Sequence, residues 1–292
     1  MKKVLLIVNP NSGNYCQTKV LKFIENLYLL GVNVDVKKTI YAGHVKTLAR
    51  TASLSNMYSH IIACGGDGTI SEVAENIVGT KIILGILPIG TANVLAHDLK
   101  IPFDTQKNAQ RIFSGRYSIT WPGYVKNNNK KYFFIQMSGI GIDAEIIKNN
   151  NKNLKKIIGK LSYVFTGFLS LLRYDMKFFT IDINGEKYKS TFAIISKGEL
   201  YAGKYKLFTS QNYNKKSFSV LIFKSKSKFV LLYSILSIFL FKNRNLKSLR
   251  YIESSSLKVI SEKKVPIQCD GDEKCYTPVC IDVSDYPLKI CC

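Results

Sequence analysis

With 292 residues the chain is long enough for a well-buried core, and typical domain sizes favour two domains over one. A content of 46% hydrophobic and 21% charged residues excludes wholesale disorder, a collagen-like fibre and a disulfide-stapled miniprotein. The net charge of +22 is uneven, +6 over residues 1–120 and +16 over 121–292, and a balance of this sign attracts polyphosphates, anionic lipid or nucleic acid.

In chain order, Lys2-Lys3 leads into five apolar residues, Val4 to Val8, before Asn9-Pro10. That reads as a buried strand, since the apolar region of a secretory signal needs about 7–15 residues. Residues 16–30 have an amphipathic helical period, 32–38 read as a strand, 44–54 as a helix, 60–64 as a strand, 69–78 as a helix and 82–87 as a strand. Short apolar strands alternating with helices imply a parallel sheet covered on both faces, whose ligands bind beyond the carboxyl ends of the strands.

After about residue 120 the pattern becomes β-rich. Residues 131–137, 177–184, 187–196, 217–223, 256–260 and 279–283 alternate or run apolar, with turn residues such as Asn127-Asn128-Asn129 and Asn184-Gly185 between them. An antiparallel β-sandwich is expected, interrupted by helices at 154–172 and 228–241. The division expected is an α/β domain over 1–120 and a β-rich domain over 121–292. The longest apolar run, 229–241, falls short of the roughly 20 residues that span a bilayer, so a soluble or peripheral protein is expected. The seven Cys are read as reduced thiols, and Cys269, Cys275 and Cys280 lack the close-paired spacing of a zinc site.

Three glycine-containing turns each follow a predicted strand: Asn9-Pro10-Asn11-Ser12-Gly13, Gly65-Gly66-Asp67-Gly68-Thr69 and Pro88-Ile89-Gly90-Thr91-Ala92-Asn93. Backbone amides free of a neighbouring Cβ, with the positive end of a helix starting near Thr69, describe a cradle for phosphates. Asp67 in its middle has two readings. It faces a phosphate-bound Mg²⁺, or it caps the following helix. The later Asp270-Gly271-Asp272 likewise reads either as a plain hairpin turn or as carboxylates placed for proton transfer.

Gly65-Gly66-Asp67-Gly68-Thr69-Ile70-Ser71-Glu72-Val73 resembles the nucleotide loop of the diacylglycerol kinase catalytic domain, shared with sphingosine, ceramide and bacterial lipid kinases. Asn9-Pro10-x-Ser12-Gly13 and Leu87-Pro88-x-Gly90-Thr91-x-Asn93 resemble two further motifs of that family in the same order. Thr39 with Ala42-Gly43-His44 resembles its nucleotide-facing threonine segment, Gly139-x-Gly141-x-Asp143-Ala144 the turn opening its second domain, and Asp270-Gly271-Asp272 its late Asp-Gly-Glu motif.

The resemblance implies an α/β ATP-binding domain followed by a β-sandwich lipid domain, and an ATP- and Mg²⁺-dependent kinase acting on a lipid hydroxyl. It makes Asn9, Ser12, Gly13, Thr39, Gly65, Gly66, Asp67, Gly68, Thr69, Gly90, Thr91 and Asn93 the nucleotide set, with Asp67 meeting the Mg²⁺ that ATP carries. Asp272 becomes the proton acceptor where Glu is usual, with Asp270 beside it and Glu273 in reserve. Bacterial members often hold a structural Mg²⁺ in a loop where this chain has Lys215-Lys216. An ammonium cannot ligate a metal, so that site is expected to be absent, with Lys215 supplying charge in its place.

The partners implied are a lipid substrate and an anionic membrane surface met peripherally from the cytoplasm, with no nucleic acid; a homodimer is compatible. Basic clusters around the apolar runs 154–172 and 228–241 suit interfacial helices, each nearby Lys or Arg contributing ~1 kcal/mol, although helices that only cover the sandwich would look the same. The rival readings are a degenerate kinase fold that only binds lipid or nucleotide, and an NAD kinase. The latter shares the Gly-Gly-Asp-Gly-Thr loop but not the Pro-x-Gly-Thr-x-Asn turn.

Overall fold

A computed structural model describes residues 3–149, 174–210, 212–242 and 244–291, so the expected helix at 154–172 lies outside the described residues. The chain divides into two units, one of residues 1–121, 202–204 and 285–292, the other of 122–201 and 205–284.

The first unit runs β1 (Lys3–Val8), α1 (Gln17–Leu29), β2 (Val34–Lys38), α2 (His44–Ser55), β3 (Tyr58–Gly65), α3 (Asp67–Ile77), β4 (Ile83–Pro88), α4 (Val94–Asp98), α5 (Thr105–Ile112) and β5 (Tyr117–Thr120). Strands β2, β1, β3 and β4 are neighbours in that order and all parallel. Each is short and apolar because both faces are covered. On α1, Val20, Phe23 and Leu27 fall at helical spacing on the buried side and pack with Val4, Leu6 and Ile62. Fully burying side chains of this kind contributes about 1.5–3 kcal/mol each.

The last strand departs from a chain divided once near residue 120. Residues 288–291, β20 (Leu288–Cys291), join the first unit's sheet between β4 and β5, parallel to the former and antiparallel to the latter. Pairing of this kind depends on partners about 170 to 200 residues away, which local patterning does not carry.

The second unit is built on two antiparallel six-stranded sheets. Its elements are β6 (Gly123–Asn127), β7 (Lys130–Phe134), β8 (Met137–Gly141), α6 (Ile142–Asn149), β9 (Phe179–Ile183), β10 (Glu186–Ser190), β11 (Phe192–Ser196), β12 (Leu200–Tyr201), β13 (Tyr205–Lys206), β14 (Phe218–Phe223), α7 (Lys228–Phe241), β15 (Leu249–Ser254), β16 (Ser256–Ile260), β17 (Pro266–Cys269), β18 (Asp272–Tyr276) and β19 (Val279–Val283). One sheet orders β10-β9-β16-β19-β6-β7 and the other β15-β14-β11-β8-β17-β18. Their facing side chains, among them Ile181, Val259 and Ile281 from the first and Ala193, Ile195 and Val220 from the second, form one core. The alternate residues of the second sheet, Ile194 and Leu221, pack instead with Leu231 and Ile238 of α7.

Two expected single strands are each two. The stretch 187–196 splits at Ser190-Thr191, so that β10 and β11 lie in different sheets. The bend buries both hydroxyls but satisfies them, Ser190 Oγ donating to the carbonyls of Phe192 and Phe223, and Thr191 Oγ1 to that of Ser225. The stretch 131–137 breaks at Ile135-Gln136, whose amides are held by the side chain of Asp270, 134 or more positions away.

Candidate active site

Because β1, β3 and β4 are parallel neighbours, the turns that follow them emerge side by side. Backbone bonds tie them together: Asn9 N–H to Cys64 O (2.9 Å), Ile89 N–H to Gly65 O (3.0 Å) and Asn14 N–H to Ile89 O (2.9 Å). Side chains add to this, with Asn9 Nδ2 donating to Thr69 Oγ1 at 3.0 Å and Asn14 Nδ2 to Gly90 O at 2.7 Å. Thr39, just past β2, is buried and donates its N–H to Val8 O at 2.9 Å, so a fourth strand end adjoins the first turn. All three predicted turns are therefore one cluster.

The glycines serve this packing first. A Cβ on Gly90 would lie 2.3 Å from the Gly66 Cα, and one on Gly13 would lie 2.1 Å from Thr91 Oγ1. Only their absence lets three turns meet. At Gly68, by contrast, a Cβ would meet open space, and this glycine stands in the first turn of α3. The amides of that turn have no intrahelical partner, and the preceding Gly66 brings no capping side chain.

Asp67 opens α3 but does not cap it. Its Oδ1 accepts the Leu95 N–H at 3.1 Å, at the start of α4, so the carboxylate joins the second turn to the helix after the third. Burial pushes its carboxyl pKa up, while bonds from the backbone N–H groups at 93–95 pull the other way. Asn93 closes its own turn, accepting from Gly90 N–H and donating to Gly90 O, both at 2.8 Å, from a left-handed backbone conformation. Ser12 Oγ is the exception in this satisfied cluster: it is buried and has no hydrogen-bond partner.

In the second unit, Asp270 and Asp272 part company. Asp270 sits in the left-handed region, and its two carboxylate oxygens accept from the amides of Ile135 (2.8 Å), Gln136 (3.0 Å) and Met137 (3.0 Å). It is the clamp that breaks the expected long strand between β7 and β8. Asp270 is expected beside the proton acceptor; these bonds give it a holding task. Asp272 opens β18 with an exposed carboxylate, whose contact is Lys274 Nζ at 3.0 Å. Glu273 points to the other face of the strand, accepting from Tyr276 Oη at 2.6 Å with Lys148 Nζ at 3.5 Å.

Asp143, in the first turn of α6, is buried and accepts from Tyr201 Oη and from Gln268 Nε2, the latter at 2.7 Å. Burial pushes its carboxyl up and the Tyr201 phenol well above its ordinary range. In the turn before β14, Lys215 points outward towards Glu253 at 3.9 Å. The ammonium inside that turn belongs to Lys197, which is fully buried and donates to the carbonyls of Lys215 (2.8 Å) and Ser217. Burial lowers its pKa to about 7. The charge expected from Lys215 thus comes from a residue 18 positions earlier.

Residues 3–119 match the diacylglycerol kinase catalytic domain. Over that stretch the chain is similar to this kinase family. The domain's relatives include the "Diacylglycerol kinase" of Bacillus subtilis, 26% identical over 278 residues, covering 93% of this chain and 90% of that one. The "Probable lipid kinase YegS-like" of Pseudomonas syringae pv. tomato is 34% identical over 139 residues, 47% of this chain and 44% of the relative. The chain spans about half the length of the YegS-like relatives it matches, 44% and 60% in two of them. The "Sphingoid long-chain bases kinase 1" of Arabidopsis thaliana is 30% identical over 58% of this chain. In fold, the chain is similar over 99% of its length to a diacylglycerol kinase crystal structure from Bacillus anthracis, with a TM-score of 0.75 at 18% identity. The relatives named here carry kinase names, a diacylglycerol kinase and a sphingoid long-chain bases kinase among them.

Two residues that fasten these loops, one in each unit, escape motif reading. Asn14, one place beyond the first turn, is a polar residue in a loop with no motif around it. Lys197 follows the apolar strand β11, where only its position at the end of a buried run hinted at a buried charge.

Proposed function

We propose that the protein is an ATP-dependent lipid kinase, transferring the γ-phosphoryl group to a hydroxyl of a membrane lipid such as diacylglycerol or a sphingoid base. What carries this reading is the cluster of three turns, in which Ser12 Oγ is buried and unpartnered and a Cβ at Gly68 would meet open space. A buried hydroxyl without a partner costs about 1–3 kcal/mol, and a phosphate oxygen is the acceptor that such a site lacks. In the proposal Asn9, Ser12, Gly13 and Thr39, the 65–69 turn, and Gly90, Thr91 and Asn93 hold the nucleotide.

Among the described residues no three His, Cys, Asp or Glu side chains are grouped to hold a metal ion. Mg²⁺ is ordinarily held by one or two carboxylates and substrate phosphates, so in the proposal it arrives on the nucleotide. Asp67 is the carboxylate of the turns that would hold it. The ion would neutralise charge on the phosphates. Asp272 takes the proton of the lipid hydroxyl as its oxygen bonds to the γ-phosphorus and ADP leaves. Asp272 is preferred to Asp270 and Glu273 because its carboxylate is exposed and paired with Lys274 at the surface, whereas the other two are engaged with backbone amides or with Tyr276 and Lys148.

The lipid substrate puts the enzyme at the inner, cytoplasmic face of a membrane, and no described helix is long and apolar enough to cross one. The test is incubation with γ-labelled ATP, Mg²⁺ and a panel of diacylglycerol, sphingoid base and ceramide in mixed micelles, followed by lipid mass spectrometry. A labelled phospholipid is expected, with a drop of about 10²–10⁴-fold in kcat and unchanged ATP affinity for Asp272→Asn. Nucleotide binding with no phosphorylated lipid would favour a degenerate, binding-only protein.

A further inference from the structure

Helix α7 has its polarity reversed. Its inward side carries Ser234 and Ser237, 1% and 3% exposed, beside Leu231 and Ile238 over the second sheet. Ser234 Oγ is satisfied there by Val230 O at 2.7 Å and Ser248 Oγ at 3.0 Å. Its outward side carries Phe229, Leu232, Tyr233, Leu236, Leu240 and Phe241, with the two phenylalanines 85% and 76% exposed. Positions 229, 233, 236 and 240 follow one stripe at helical spacing. A soluble fold with this many apolar groups available would ordinarily turn them in and the serines out, so the stripe marks a contact surface.

The surroundings say what kind of surface. Residues 224–250 contain seven Lys and Arg and no Asp or Glu, and the helix lies between Lys224, Lys226 and Lys228 on one side and Lys242 and Lys247 on the other. Lys226 Nζ also lies 4.6 Å from the Phe178 ring, which Lys189 approaches at 4.4 Å, extending the basic rim. A second copy on this stripe would bring two such rims together in a two-fold contact, like charge against like. An anionic bilayer surface satisfies both parts, taking the aromatic and aliphatic groups below its headgroups and the ammoniums among its phosphates.

We propose that the outward stripe of α7, framed by these lysines, docks the protein on an anionic lipid surface. This deepens, and rests on, the lipid-kinase reading. The experiment is flotation of the full chain with vesicles of phosphatidylglycerol and phosphatidylcholine, or of phosphatidylcholine alone. The wild type is compared with Phe229→Ser/Leu240→Ser/Phe241→Ser and, as a control, with the first-unit surface variant Leu29→Ser/Leu54→Ser.

The wild type and the control are expected to float with anionic vesicles and at least about 10-fold less with neutral ones, with salt weakening the binding. The triple variant is expected to lose at least about 10-fold in bound fraction while keeping its melting temperature within a few degrees. Equal flotation of variant and wild type would overturn the proposal, as would no flotation of the wild type. So would a wild-type dimer in light scattering that the triple variant dissolves, or a large fall in its melting temperature, which would mean the chain itself covers the stripe. Flotation is read without turnover, whereas failure to label any lipid in micelles counts against the kinase reading alone.

Discussion

Asp67 in the first unit and Asp270 in the other share a local sequence pattern, a glycine following each after an apolar strand, and each accepts backbone amides from a turn far along the chain. They differ in what is left over. Asp270 spends both oxygens on the amides of 135–137, whereas Asp67 accepts from the backbone N–H groups at 93–95 in a cluster that keeps an unpartnered Ser12 hydroxyl and an uncrowded first helical turn. A carboxylate in a motif can thus be a fastener, a functional group or both. The unsatisfied groups and open space around it separate these uses better than the motif does.

Breaking the two carboxylates should produce different failures. For Asp67→Asn the expected result is loss of lipid phosphorylation by about 10³-fold, the scale on which removing one preorganised electrostatic group acts, seen in initial rates at saturating ATP. Stability should change less than activity, because the asparagine can still accept from Leu95. Asp270→Ala should do the reverse. It leaves three amides without their acceptor, for an expected loss of ~2–4 kcal/mol in urea unfolding of a chain whose nucleotide affinity persists. If instead Asp270→Ala left stability intact and removed turnover, the division between the two would be wrong.

The buried ammonium of Lys197 gives a pH-dependent version of the same contrast. Its folded-state pKa of about 7 lies below the unfolded value near 10.5, so between those values the unfolded chain binds the extra proton and stability rises with pH. Lys197→Met should lose ~1–3 kcal/mol through the stranded carbonyls of Lys215 and Ser217, and melting curves from pH 7 to about 10 should show the wild type gaining on the variant. A gap that narrows over this range would contradict the assignment. The smallest effect expected is for Asn14→Ala, about 1 kcal/mol from losing the 2.7 Å bond to Gly90 O, visible as a small fall in melting temperature that nucleotide partly restores.

Much of the first unit was legible because its signals are local. A buried parallel strand is a short apolar run, an amphipathic helix repeats at 3.6 residues, and a turn that must pass close to another needs glycine at Gly13 and Gly90. The second unit hid its breaks. Ser190-Thr191 reads as a continuation of a strand, since both residues favour extended backbone, and nothing nearby announces that the carbonyls of Phe223 and Ser225 will accept their hydroxyls. The interruption at Ile135-Gln136 was equally silent, because its cause, Asp270, lies at the other end of the unit's sequence.

By itself the sequence determined the alternation of strand and helix up to residue 120, the three glycine turns in order, the excess of positive charge and the bare apolar character of residues 229–241. Tertiary structure alone decided that β20 returns to the first sheet, that Asp270 holds a turn, that Lys197 and not Lys215 charges the loop before β14, and which side of α7 faces out. The physical reason is common to these cases. Hydrophobic period and glycine report the conformation of neighbours along the chain, whereas a carboxylate, an ammonium or a largely apolar helix takes its role from whatever distant group, or whatever solvent, the fold sets against it.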